Sequence, residues 1–216
     1  MERYQLKIVI PAFNEENSIY RVVKNIIPHG EVIVVDDGSS DKTSQKAKLA
    51  GAIVISHKTN LGYDSAINSG FREALKRKAE FILTFDADGQ HDENMIKLAY
   101  NHLEEGYDLV LGKRKHKQRW AEIIFSLYTN YKWNIKDPLS GFKLYKVNVY
   151  RSLGYFDSYN SIGTELLLYA LQKKYNIKEF PMITKKRQDM PRFGSNLNSN
   201  IKILRSLFIH IFCKRK

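Results

Sequence analysis

A single cysteine, Cys213, stands among 216 residues, so no disulfide framework forms within the chain and a reducing compartment is the expectation. Long hydrophobic runs are missing too. The longest apolar stretch, Ile201 to Cys213, is interrupted by Lys202, Arg205 and His210 and falls short of the roughly 20 residues that span a bilayer. Near the start, Ile8-Val9-Ile10 is too short for a signal peptide and runs into Pro11 and acidic residues. No Gly-x-Gly-x-x-Gly follows the first apolar run and no Gly-x-x-x-x-Gly-Lys-Ser/Thr occurs anywhere, which removes the dinucleotide fingerprint and the P-loop. No recognised nucleic-acid module is present either, and nucleic acid is not an expected partner.

Acidic residues are the scarce charge, 23 against 35 Lys and Arg, for a net +12. The excess is clustered. From Lys173 to Lys216 there are 12 Lys and Arg against Glu179 and Asp189, and Lys113 to Arg119 adds five more. Such asymmetry by itself points to an anionic partner, whether phosphate-bearing lipid, membrane surface or nucleic acid. With 43% hydrophobic residues the chain buries a core as one large domain, or one domain with a small appendage.

Strand and helix patterns alternate from residue 6 to 88. Leu6 to Phe13 reads as a strand stopped by Pro11, and Asn14 to Asn17 read as caps of a helix carrying Ile19, Val22, Val23, Ile26 and Ile27, stopped at Pro28 and Gly30. Glu31 to Val35 is a β-branched run of the kind buried on both faces. A helix to Gly51, a strand Ala52 to Ile55, the loop Asn60-Leu61-Gly62 and a helix with Ala66, Ile67, Phe71 and Leu75 follow, ahead of the strand Phe81 to Phe85. The pattern implies a mostly parallel sheet with helices on both faces, whose ligands sit beyond the carboxyl ends of the strands. Pro11, Asp36-Asp37 and Asp86-Ala87-Asp88 all fall at such ends. Asp86 and Asp88 are two apart and so face one crevice. Their hard oxygens suit Mg²⁺ or Mn²⁺, although Asp88-Gly89 taken alone is also an ordinary acidic turn. Asp37 suits a base N–H or a ribose hydroxyl.

Four segments in order, Ile10-Pro11-Ala12-Phe13-Asn14-Glu15-Glu16, Val34 to Asp41, Asn60-Leu61-Gly62 with Ala66 to Gly70, and Asp86 to His91, resemble the inverting family 2 glycosyltransferases of GT-A fold over about residues 6 to 112. Asp137-Pro138-Leu139-Ser140-Gly141-Phe142-Lys143-Leu144-Tyr145 is similar to a segment of the dolichyl-phosphate mannosyltransferase and polyprenyl-phosphate glycosyltransferase branch, with Lys143 where Arg is usual. Gly163-Thr164-Glu165 and Glu179 to Thr184 continue the likeness as a helix and a late strand. Arg187 to Ser195 is similar to the basic acceptor loop, with Met190 and Pro191 replacing its usual glycine and serine.

The resemblance implies an α/β GT-A fold over residues 1–196, its nucleotide-sugar half at about 1–112 and acceptor half at about 113–196, followed by a basic amphipathic helix, 197–216. It implies metal-dependent, inverting transfer of a sugar from a nucleotide diphospho-sugar to a polyprenyl phosphate, or alternatively to a glycan hydroxyl. Pro11, Ala12, Phe13, Glu15, Asp37, Gly62, Asp86 and Ala87 are the implied donor residues. A Mg²⁺ or Mn²⁺ ion is assigned to Asp88 and Gln90 with Asp86, which is alternatively free to serve the ribose. His91 is expected to hydrogen-bond behind the ion, with direct ligation as the alternative. For a lipid phosphate, Arg114, Ser140, Lys143, Arg187 and Arg192 are the acceptor candidates; for a hydroxyl, Glu165 or Asp137 supplies the base. Asp88, Arg114, Lys143 and Glu165 are thus the catalytic candidates. From another class, an idle sugar-nucleotide binder or a nucleic-acid binder is disfavoured by the intact Asp-x-Asp and the acidic crevice.

Trp120, Phe125, Tyr128 and Tyr131 recur at helical spacing and read as helix packing. In the tail, Leu197, Ile201, Leu204, Phe208, Ile211 and Phe212 share one face and Lys202, Ser206 and His210 the other, ahead of Lys214-Arg215-Lys216. That pattern fits an interfacial helix or one packed on the core. The expected place is cytoplasmic, peripheral on the cytoplasmic face of a membrane, with an anionic lipid surface and a membrane protein as partners.

Overall fold

Period-two alternation divides the core into two layers. The computed structural model describes residues 5–115, 117, 119–183 and 196–212. In β1 (Leu6–Ala12) Leu6, Ile8 and Ile10 point to one face of the sheet and Val9 to the other; in β2 (Glu31–Asp36) Val32 and Val34 part from Ile33 and Val35 in the same way. All eight are fully or almost fully buried, as expected of parallel strands covered on both sides. On one face pack α1 (Ile19–Ile26), α2 (Thr43–Leu49) and α4 (Asn94–Glu104); on the other lie α3 (Tyr63–Lys76), α5 (Trp120–Trp133), α6 (Val147–Leu153), α7 (Glu165–Gln172) and α8 (Asn196–Phe212).

The sheet has seven strands in the order β3-β2-β1-β4-β6-β5-β7, with β3 (Ile53–Ser56), β4 (Phe81–Thr84), β5 (Leu109–Lys113), β6 (Lys143–Lys146) and β7 (Ile177–Pro181). Only β6 runs against its neighbours, β4 and β5. The chain builds outward from β1 to β3 and then returns to place β4 on β1's other side. That reversal makes the carboxyl ends of β1 and β4 the switch point where such sheets bind ligands. Gly70 on α3 leaves room for Val9 beneath it, so the helix seats closely on β1.

Three expectations change. Residues 14 to 17 do not cap α1, whose N-cap is Ser18 without a side-chain cap bond; their polar groups are used between loops instead. Phe125 is buried as expected, whereas Trp120 and Tyr131 face outward, Tyr131 with 94% of its surface exposed. In α8 Ser206 is fully buried beside Ile203 and Leu207, while Leu197, Ile201, Phe208 and Phe212 are exposed, so the helix packs on the core through only part of its apolar residues. Its inner side meets α5 and the loop before α7, where Ser206 Oγ donates to Ser161 O (3.1 Å) and lies 3.0 Å from Thr164 Oγ1. The closing residues Cys213 to Lys216 lie outside the described residues.

Candidate active site

The loops after β1 and β2 are tied edge to edge. Asn14, in the left-handed region at φ 54, donates its N–H to Ser39 Oγ (2.9 Å) and accepts through Oδ1 from Ser40 N (2.9 Å). Glu15 N donates to Thr43 Oγ1 (2.8 Å), and the buried Glu15 carboxylate accepts from Ser18 Oγ (3.0 Å). The donor candidates Pro11, Ala12 and Phe13 lead into this junction, with Phe13 partly exposed. Asp37, almost wholly buried, accepts from Leu61 N (3.0 Å) and Gly62 N (2.8 Å) and lies 2.7 Å from His57 Nδ1, whose Nε2 lies 2.9 Å from Ser69 Oγ. Asp37 thus anchors the Asn60-Leu61-Gly62 loop, where Gly62 has φ +91, a conformation side-chain-bearing residues rarely adopt.

After β4 the chain turns sharply at Asp86-Ala87-Asp88-Gly89. Asp88 Oδ1 accepts from Gln90 N (3.0 Å), and Gly89 supplies φ +73. Asp86 and Asp88 both keep partial exposure while Ala87 between them is buried. His91 is buried, edge-on to Phe85 and Phe142, with Nε2 3.3 Å from Asp86 Oδ2. Directly against the Asp86 carboxylate packs the Ser140-Gly141 turn, stitched to β4 because Thr84 Oγ1 donates to Gly141 O (2.6 Å) and accepts from Lys143 N (3.1 Å).

The basic candidates separate. Arg114 makes a two-pronged pair with Asp137, Nε to Oδ2 at 2.9 Å and Nη2 to Oδ1 at 2.8 Å, and Nη2 also reaches Glu122 Oε2 at 3.2 Å. Burial opposes the guanidinium charge, but the Asp137 hydrogen bond together with the charges of Asp137, Glu122 and Asp86 holds the pKa above its usual value. Glu179 fixes this corner by accepting from Asp137 N (2.7 Å) and Lys136 N (3.0 Å). Lys143 is wholly interior, its ammonium donating to Gly163 O at 2.8 Å, and burial, against the pull of Asp137 and Asp64, lowers its pKa to about 8. Ser140 is also fully buried and its Oγ accepts from Phe142 N (3.3 Å). These two candidates are therefore interior, with no exposed polar atom offered to a ligand in this conformation. Glu165, with its pKa raised first by burial, accepts from Ser158 N (2.6 Å) and Ser158 Oγ (2.9 Å). Arg187 and Arg192 lie outside the described residues.

Sequence reasoning missed Asp64, whose charge lies near Lys143. Asp64, reading only as a first-turn acid of α3, accepts from Ile162 N (3.0 Å) and Gly163 N (2.6 Å), and burial together with nearby Asp157 raises its pKa to about 7. Residues 160, 162 and 163 all have positive φ, the β-branched Ile162 at 59°, a costly backbone held by its surroundings. Burial and then Asp86 and Asp64 push the neighbouring Tyr63 phenol well above its ordinary pKa. No short motif marks these contacts, because Asp64 and Gly163 are 99 residues apart.

Among the described residues no three His, Cys, Asp or Glu side chains gather to hold an ion by themselves. The partly exposed carboxylates of Asp86 and Asp88 do fit a hard divalent cation that draws its remaining oxygens from a diphosphate. The family model for glycosyl transferase family 2 matches residues 7–161, spanning each of these loops up to Ser161.

The chain belongs to glycosyl transferase family 2. This glycosyltransferase is 32% identical over 222 residues to an uncharacterized protein of Methanocaldococcus jannaschii, covering 95% of this chain and 91% of the relative. It is 26% identical over 236 residues to the UDP-N-acetylglucosamine–dolichyl-phosphate N-acetylglucosaminyltransferase of Methanococcus voltae, covering 94% of each. In architecture it is similar to glucosyl-3-phosphoglycerate synthase from Mycobacterium tuberculosis, solved with Mn²⁺, UDP and phosphoglyceric acid, at TM-score 0.79 and 20% identity, covering 98% of this chain and 80% of that one. The glycosyltransferase thus has the GT-A fold. No helix among the described residues is long and apolar enough to cross a membrane.

Proposed function

We propose that this glycosyltransferase transfers a sugar, with inversion and with help from a divalent ion, from a nucleotide diphospho-sugar to a polyprenyl phosphate. The observation that carries the acceptor is the likeness to the M. voltae dolichyl-phosphate enzyme along nearly the whole of both chains. It is supported by the Asp86–Asp88 turn facing the Arg114 corner across the switch point. The donor half, about 1–112, lies against Asp37, Gly62 and Glu15, and the acceptor half, about 113–196, carries Arg114, Lys143 and the buried loop at Gly163. In one displacement an acceptor phosphate oxygen attacks the anomeric carbon, the bond to the diphosphate breaks, and the nucleoside diphosphate departs with the electron pair. Asp88 and Asp86, with Gln90 close by, would hold a Mg²⁺ or Mn²⁺ ion, which would supply positive charge to that leaving group. A phosphate acceptor is largely ionised near neutral pH, its second pKa being about 6, so cations that position it matter more than a base.

Arg114 answers that need, with Asp137 and Glu122 fixing its guanidinium plane. The chain works at an anionic membrane surface on the cytoplasmic face, where lipid acceptors are met. The test is a screen of UDP-, GDP- and dTDP-sugars with polyprenyl phosphate and Mg²⁺ or Mn²⁺, run with wild type and Asp88→Asn. Expected is a lipid-linked sugar from one donor, abolished in the variant without loss of fold. Full activity of Asp88→Asn with chelator present would remove the ion from the reaction.

A further inference from the structure

Nine of the fifteen large apolar side chains exposed among the described residues lie on two neighbouring helices, α5 and α8. On α5 they are Trp120, Ile123, Ile124, Leu127 and Tyr131, at helical spacing along one stripe; on α8 they are Leu197, Ile201, Phe208 and Phe212, again along one stripe. Each stripe is about 20 Å long. The inner faces carry polar atoms among Ala121, Phe125, Ile203 and Leu207. Asn200 Oδ1 accepts from Ala121 N (3.2 Å), and buried Ser206 bonds Ser161 and Thr164. α8 buries Ile203 and Leu207 beside these polar atoms and still leaves Leu197, Ile201, Phe208 and Phe212 outside, more apolar surface than the core uses, so its outer medium is apolar.

Charge says which medium. On these two helices the one acid is Glu122, which is buried and paired with Arg114 and Arg119. Around the stripes stand the exposed Lys115, Lys132, Lys136, Lys202 and Arg205. A second copy laid on this face would bring like charges together, in a chain already at +12, whereas anionic headgroups complement them. We propose that the α5–α8 face docks in the headgroup and acyl boundary of an anionic bilayer, its apolar stripes inserted and its cations among the lipid phosphates. This deepens the reading that the chain works at a membrane surface, and rests on it.

The placement also serves the site. Glu122, in the first turn of α5, contacts Arg114, while on α8 Arg205 Nη1 donates to Tyr159 O (3.0 Å) and Ser206 holds the loop that ends at Gly163. The two helices that would lie in the lipid thus contact the acceptor corner directly. A lipid phosphate would then reach Arg114 without leaving the interface.

Both tryptophans of the chain, Trp120 and Trp133, lie on α5, so intrinsic fluorescence reads the proposal. The full chain is titrated with vesicles of phosphatidylcholine alone and with roughly one phosphatidylglycerol in three, without donor or acceptor. A Trp133→Phe background leaves Trp120 as the reporter. Expected are a blue shift and quenching by brominated acyl chains with the mixed vesicles, and binding weakened at high salt. Leu127→Asp and Phe208→Asp, both at exposed positions, should each weaken partitioning at least about tenfold while melting as wild type. Wild-type affinity in both variants would overturn the assignment of this face and leave the membrane reading standing. No vesicle binding by wild type would overturn both. A stable dimer by sedimentation that Leu127→Asp splits would also overturn the proposal, in favour of a second copy. Donor hydrolysis, read separately, tells failure of the transferase reading from failure here.

Discussion

The Asp86 carboxylate rests on the backbone of Gly141, so close that a β-carbon there would meet its Oδ1 at 2.6 Å and its Oδ2 closer still. Two segments 55 residues apart in sequence thereby share one position in space. Gly141→Ala should push the Asp86 carboxylate aside without straining the backbone of residue 141. We expect donor turnover to fall about 10²-fold, the cost of displacing a site group by about an ångström. The melting temperature should move by only a few degrees. Wild-type turnover in the alanine variant would mean that the Asp86 position does not matter.

Asp37 combines donor candidacy with a structural duty, since its carboxylate satisfies Leu61 N, Gly62 N and the His57 ring. Asp37→Ala removes the anchor of the loop beneath the donor. With charge-assisted bonds contributing about 1.5–3 kcal/mol, nucleotide affinity should drop roughly ten- to a hundredfold. Calorimetry with the nucleoside diphosphate measures it, and an unchanged dissociation constant would remove Asp37 from the donor site.

The contrast between Asp37 and Asp64 explains what the sequence made legible. Asp37 follows a β-branched run, so its place at a strand's carboxyl end could be inferred from local pattern, as could Asp86 and Asp88. The alternation of strands and helices gave the parallel part of the sheet for the same reason. Asp64 bonds a loop 99 residues away, and nothing within a helical turn of it carries that information. The orientation of α8 was hidden for a related cause. Ser206 looks like a surface residue by spacing, and only the carbonyl of Ser161 and the hydroxyl of Thr164 make its burial favourable.

Arg114 bears on stability as well as on the acceptor. Asp137 and Glu122 are almost completely buried around it, and removing one partner of a buried pair costs about 3–5 kcal/mol. Arg114→Gln should therefore lower both transfer and stability. Adding Asp137→Asn relieves the stranded charge, so the double variant should recover much of the stability in urea unfolding but none of the transfer. Recovery of transfer with stability would assign Arg114 a purely structural part.

Asp64 and Lys143 predict opposite pH trends in stability. Native Asp64 keeps its proton to about pH 7, whereas an unfolded aspartate loses it near 4. Its contribution is thus complete below about pH 4 and is lost as pH rises to 7. Lys143 titrates at about 8 when folded against 10.5, so its contribution is present above about 10.5 and is lost as pH falls to 8. Urea unfolding across pH should show wild type losing stability relative to Asp64→Asn between 4 and 7, by a few kcal/mol at most. Relative to Lys143→Met it should gain between 8 and 10.5. Curves that stay parallel in both windows would contradict the buried Asp64–Gly163–Lys143 arrangement.

Glu165 separates the two acceptor chemistries. Its carboxylate is held by Ser158 N and Oγ, and burial raises its pKa, which are also properties of a general base. An anionic lipid phosphate gives such a base no proton to remove. Glu165→Gln keeps the shape and an acceptor for Ser158, so transfer to polyprenyl phosphate should stay within a few-fold of wild type, whereas a true general base contributes about 10²–10⁴-fold. Donor affinity measured alongside guards against a second role for Glu165 in orienting the donor sugar. A variant that binds the nucleotide sugar normally yet loses transfer by that factor would move the reading from a lipid phosphate to a glycan hydroxyl. Retained transfer, together with the loss expected in Arg114→Gln, favours positioning of one anion beside another over proton abstraction.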